Sequence, residues 1–208
     1  MKIEKAATSP VAFRRPLVYT PNCRSAIELF LRTVGAVDGA PVLVPAYIGW
    51  SPREGSGIHD PILAAGARLE FYRVGRDLAI DLSHLRSQLE KVRPRVVLFV
   101  HYFGFPDPRL AEAVALCRDH DALVLEDEAH ALLSDLVGGI CGRFGDAAVF
   151  SLHKMLPFTS GGAIAWKAHS EPLPPAPLPS QRAGEGAATA ISAYTPLVCR
   201  HHSVFLHF

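Results

Sequence analysis

The stretch LEDEAHALLSDLVGGICGRFGDAAVFSLHKMLPFTSGGAIAW, residues 125–166, decides how the chain is read. One apolar run stops on Asp127, a second (AAVFSL, 147–152) stops at Ser151, and a lone Lys154 follows just before the Gly161–Gly162 pair. Similar runs lie upstream in PVLVP (41–45), RLEFYRV (68–74), RVVLFVH (95–101) and ALVLED (122–127), and GAIAW (162–166) closes the series. Most are apolar on both faces, the pattern of strands in a parallel sheet covered by helices on both sides.

Segments with helical spacing lie between these runs. In NCRSAIELFLRTVG, Ile27, Phe30, Leu31 and Val34 fall at i, i+3, i+4 and i+7, Asn22 is placed to cap the start and Gly35 to close the end. DLSHLRSQLEKV (81–92) puts Leu85, Leu89 and Val92 on one face behind a possible cap at Ser83. DPRLAEAVALCRDHD (107–121) repeats the pattern with Leu110, Val114 and either Leu116 or Cys117. Strand and helix patterns in alternation predict an α/β fold, a three-layer α/β/α arrangement around a mostly parallel, doubly wound sheet.

Composition narrows the class. The 208 residues are 49% hydrophobic, enough for a sizeable core. Lys and Arg number 21 against 20 Asp and Glu, so no charge excess points to nucleic acid or to an anionic membrane, and a small molecule is the expected partner. Cys23, Cys117, Cys141 and Cys199 form no CxxC pair, which suggests neither a metal site nor a disulfide framework. The first residues, MKIEKAATSPVAFRRP, lack a signal-peptide core, and no run reaches the ~20 apolar residues of a membrane span, so a soluble, cytoplasmic protein is expected. Three segments are anticipated: an N-terminal arm (1–19), a large domain (20–167), and a poorly structured tail (168–208) with five prolines between 172 and 179.

In an open parallel sheet, ligands bind outside the carboxyl ends of the strands. If the strands ending at Asp127 and Ser151 are neighbours, both side chains and Lys154 arrive at one edge. An aspartate, a lysine and an anion-binding helix terminus together are what pyridoxal phosphate requires: an amine for its aldehyde, a carboxylate for its pyridine nitrogen, and N–H groups for its phosphate.

LEDEAHAL followed by GRFGDAAVFSLHK and SGGAIAW resembles the DegT/DnrJ/EryC1/StrS family of fold-type-I pyridoxal-phosphate aminotransferases, as do NCRSAIELFL, VLVPAYIGW and VVLFVHYFGFPDP upstream. The resemblance implies an amino group moved from an amino-acid donor to a keto-sugar nucleotide, with Lys154 as the Schiff-base lysine and Asp127 at the pyridine nitrogen. It places His130 near the ring's phenolic oxygen, Ser151, Arg24 and Ser25 at the phosphate, and Tyr47 or Trp50 against the ring. A homodimer is implied for intact relatives. This sequence departs from the family in its compact SLHK spacing, in Cys23 where glycine is usual, and in Arg73 where an acidic residue commonly ends the third strand. The family's small domain has no counterpart after Trp166, so a truncated, non-catalytic interaction module is the alternative expectation. A sugar dehydratase of the same group would carry histidine in place of Lys154.

Overall fold

Asn22 starts the first long helix by taking over a backbone group the helix cannot satisfy itself: its Oδ1 accepts the Ser25 N–H at 2.9 Å. Helix α1 then runs Cys23–Thr33 and buries Ile27, Phe30 and Leu31 of the expected stripe together with Ala26, while Val34, also buried, is its C-cap. This is a computed structural model; it describes residues 17–136 and 141–167, so the tail and all but the last residues of the anticipated arm lie outside the described residues.

Seven strands form one sheet in the order β1-β7-β6-β5-β4-β2-β3. They are β1 (Leu17–Thr20), β2 (Pro41–Pro45), β3 (Arg68–Tyr72), β4 (Val96–Val100), β5 (Leu123–Asp127), β6 (Ala147–Ser151) and β7 (Gly162–Trp166). Strands β2 to β6 pair in parallel, whereas β7 runs antiparallel to β6, and β1 antiparallel to β7. Among the described residues the other α-helices are α2 (His59–Ala64), α3 (Leu82–Val92), α4 (Leu110–Asp119), α5 (Leu132–Leu136) and α6 (Leu152–Met155), and a 3-10 turn spans Tyr102–Gly104. The cap of α3 is Asp81, not Ser83: the Asp81 carboxylate accepts the His84 N–H at 2.9 Å.

The doubly apolar strands are explained by their two coverings. On one face Val42, Val44, Leu98, Leu125, Val149 and Ile164 pack with α1 and α2. On the other, Leu43, Val97, Phe99 and Val124 pack with Leu85 and Leu89 of α3 and with Val114 and Cys117 of α4. Each such large side chain contributes about 1.5–3 kcal/mol by leaving water. At β7, Trp166 stacks on Phe30 with ring centroids 5.3 Å apart, fixing α1 over that end of the sheet.

Candidate active site

The parallel strands β2, β4, β5 and β6 deliver their carboxyl ends to one edge, and the chain order reverses between β2 and β4, where ligands of open α/β sheets settle. Asp127 is the last residue of β5 and is buried; its Oδ1 accepts the Ala129 N–H at 2.9 Å. Burial pushes its carboxyl above the usual aspartate range, while that hydrogen bond and the charges of Lys154, His130 and His101 act in the opposite direction.

Helix α6 follows Ser151 without a connecting loop, so the compact SLHK spacing is one helical turn that carries Lys154 back over the edge. Lys154 Nζ lies 3.2 Å from His130 Nε2. With the lysine donating, that ring nitrogen is the acceptor and the imidazole is neutral. Burial and the lysine charge both lower the His130 pKa, against the pull of Asp127. The Phe103 ring lies parallel to His130, 2° from coplanar at 6.3 Å, in a turn where Gly104 has φ +86° and a Cβ there would lie 2.8 Å from the His130 carbonyl.

Two cavities open on either side of Asp127 and Lys154, which line both. One, of about 690 Å³, reaches Asn22, Cys23 and Arg24 at the start of α1 and also touches Trp50, Arg53 and Ser151. The other, of about 230 Å³, is walled by Tyr47, His101, Tyr102, Phe103 and His130. Tyr102 donates its hydroxyl to the Tyr47 carbonyl at 2.6 Å, tying these two walls together. A third cavity, of about 290 Å³, lies on the far side of Tyr102 and Phe103 and is lined by none of the residues that the resemblance assigns to the cofactor.

Gly162 explains half of the glycine pair. A Cβ there would sit 2.3 Å from the Asn22 carbonyl carbon, so only glycine lets the start of β7 support the first turn of α1. The Ser25 N–H and hydroxyl are both directed at Asn22 Oδ1, and Ser25 lines neither cavity. Helix geometry leaves the N–H groups of Cys23 and Arg24 without intrahelical acceptors. The Arg24 guanidinium donates to the Glu54 carbonyl at 2.5 Å, holding the 51–55 turn against α1. Ser151 is buried, with its hydroxyl 3.2 Å from His153 Nδ1. Burial, and then the Asp127 charge, raise the Cys23 thiol well above its usual range despite Lys154 and Arg24, so it is a neutral neighbour of this corner.

Beneath the edge His101, which closes the run VVLFVH, meets Glu126, which no motif singles out. His101 Nε2 is 2.7 Å from Glu126 Oε2, with exposures of 2% and 0%. The Glu126 carboxylate also accepts the N–H groups of Gly142, Phe144 and Gly145. Glu128 completes a buried cluster whose ligand atoms lie within 4.8 Å of one another. Because Glu126 already accepts four hydrogen bonds, it is occupied as a hydrogen-bonded anchor rather than open to a cation. The sequence shows a histidine closing the run VVLFVH, but its pairing with Glu126 depends on the β4–β5 register.

A buried carboxylate and a lysine amine shared by two adjoining cavities, with free N–H groups and Arg24 at the rim, suit a ring nitrogen, a carbonyl carbon and an anionic tail on one ligand. A family model described as the DegT/DnrJ/EryC1/StrS aminotransferase family matches residues 14–170. UDP-4-amino-4,6-dideoxy-N-acetyl-beta-L-altrosamine transaminase from Campylobacter jejuni is 31% identical over 105 residues, 49% of this chain and 28% of that protein. The aminotransferase TlmJ from Streptoalloteichus hindustanus superposes with a TM-score of 0.61 at 26% identity, over 73% of this chain and 40% of its own. Spr1654 from Streptococcus pneumoniae in its PLP form gives 0.63 at 24% identity, over 77% and 44%, and shares the fold. The chain thus spans less than half the length of each.

Proposed function

Because the chain belongs to the DegT/DnrJ/EryC1/StrS aminotransferase family, we propose that it binds pyridoxal phosphate in this cleft and transfers an amino group from an amino acid to a keto-sugar nucleotide. The observation that carries the reading is the meeting of Asp127 and Lys154 in the wall common to both cavities. When bound, the cofactor supplies an aldehyde carbon for amines and a ring that accepts electrons. Lys154 is the residue that would hold it covalently, and its Nζ, once displaced by the donor's amine, is placed to take and return the donor's α-proton. Asp127 would hold a proton on the ring nitrogen. His130, 3.2 Å from Lys154 and shifted toward its neutral form, would orient that amine, and the family resemblance puts it on the side of the ring's phenolic oxygen.

The anion would take the N–H groups at the start of α1 together with Arg24 and the Ser151 hydroxyl; Ser25 contributes through the cap geometry of Asn22. Trp50, 67% exposed, borders the phosphate side, and Tyr47, 56% exposed and tilted on Tyr102 at 5.7 Å, borders the opposite one. These aromatics, with Phe103 also exposed, would form the apolar rim that a second copy covers in a homodimer.

The test is a titration of the purified chain with pyridoxal phosphate. A visible absorbance band that borohydride abolishes, and that Lys154→Ala does not form, is the expected result. A native chain with no such band, or a variant that retains it, contradicts the proposal.

A further inference from the structure

The groups whose charge bears on the Asp127 carboxyl are Lys154, His130 and His101. Two of them fail as lasting counter-charges. His130 is shifted toward its neutral form by burial and by Lys154. Lys154, on the reading given above, commits its amine to the cofactor. His101 remains. It lies one residue beyond β4, its backbone N–H donates to the Asp127 carbonyl at 3.0 Å, and it shares a cavity wall with Asp127. Its ring is fixed from below by Glu126 at 2.7 Å. Glu126 cannot turn away without abandoning three backbone N–H groups of the 142–145 loop.

We propose that His101 is a positioning residue: a buried imidazolium, anchored by Glu126 under the floor of the cleft, that keeps Asp127 ionised and ready to pair with a protonated ring nitrogen. The inference rests on the cofactor reading above. The groups facing the imidazole are Glu126 at the end of β5, Glu128 just beyond it, and the Cys141 thiol, with Asp127, His130 and Lys154 across the cavity. Burial alone would discharge the ring, but its bonds to Cys141 and Glu126 outweigh burial and raise it to about 10. A protonated His101 would lower the Asp127 carboxyl independently of Lys154, from a position that Glu126 fixes.

Two measurements decide it. In the cofactor-free native chain, NMR of isotope-labelled histidine rings should find His101 still protonated at about pH 8, where an ordinary histidine is neutral. A neutral His101 ring there overturns the proposal, and this reading needs no variant to fold. Then pyridoxal-phosphate affinity is followed against pH for the native chain and for His101→Gln, whose amide can still donate to Glu126. Affinity is lost in acid as Asp127 protonates, so removing the cation should move that acid limb upward by about half to one pH unit. Each curve is normalised to its own plateau, so that the position of the acid limb is read separately from any loss of contact at the cavity wall. An unchanged limb refutes the role of His101 while leaving the cofactor reading intact, whereas a native chain that binds at no pH refutes that reading and this inference with it.

Discussion

Asp127 is held in a conformation the fold does not favour electrostatically. Burial raises its carboxyl, and a group whose folded pKa lies above its unfolded one lowers stability once pH has risen through the folded value. The free protein at neutral pH therefore gains nothing from ionised Asp127. Asp127→Asn keeps an oxygen for the Ala129 N–H, so the variant should unfold at the same or higher urea concentration than the native chain at pH 7. Its affinity for pyridoxal phosphate should fall about 10- to 100-fold, the worth of a hydrogen bond to a charged group. A destabilised variant that binds normally would reverse both parts. Asp127 and Lys154 were legible in the sequence because both follow apolar runs that end abruptly. Arg24 and Ser25 were legible only as neighbours of a helix start; the structure gives Arg24 to the 51–55 turn and Ser25 to the cap.

At the scale of elements, the site is built where β7 meets α1. Gly162 pairs with Ser151 in the sheet and with Thr20 in β1, and it lies directly under Asn22. Gly162→Ala should force the α1 N-terminus away from the sheet, weakening pyridoxal-phosphate binding at least about tenfold and lowering stability by about 1–3 kcal/mol. Calorimetry together with cofactor titration checks this, and a variant with native affinity would show that the α1 corner is not the anion site. Helix α1 was readable from its stripe and cap alone. The antiparallel direction of β7 was not, because apolar composition records burial and not hydrogen-bond direction. Strand β1 has four residues, LVYT, too few to show a period, and α2 has six with Pro61 inside, so neither gave a sequence signal. The His101–Glu126 pair is formed across β4 and β5 by a register, Val100 opposite Asp127, that no local pattern contains.

Over the whole molecule, the same buried pair sets a pH window for folding. His101 is raised to about 10, above its unfolded value, so its contribution is complete below about pH 6.5 and is lost as pH rises through about 10. Glu126, burial notwithstanding, is drawn below its ordinary range by His101 and the loop N–H groups, so its contribution is lost in acid. The urea midpoint of the cofactor-free chain should accordingly decline steadily from about pH 7 to about pH 10, by roughly a few kcal/mol of unfolding free energy. A flat profile would mean that the imidazole is buried neutral. The layered α/β architecture itself was legible because two helical coverings make every central strand apolar on both sides, and that consequence of burial survives in sequence. The proposed function rests on Asp127 and Lys154 serving one ring from the wall they share. The most direct test is to reduce the chain with borohydride in the presence of pyridoxal phosphate and locate the added mass by peptide mass spectrometry. Label on Lys154, with Lys2, Lys5, Lys91 and Lys167 unmodified, is the predicted result, and label spread over those lysines or absent from Lys154 would contradict it.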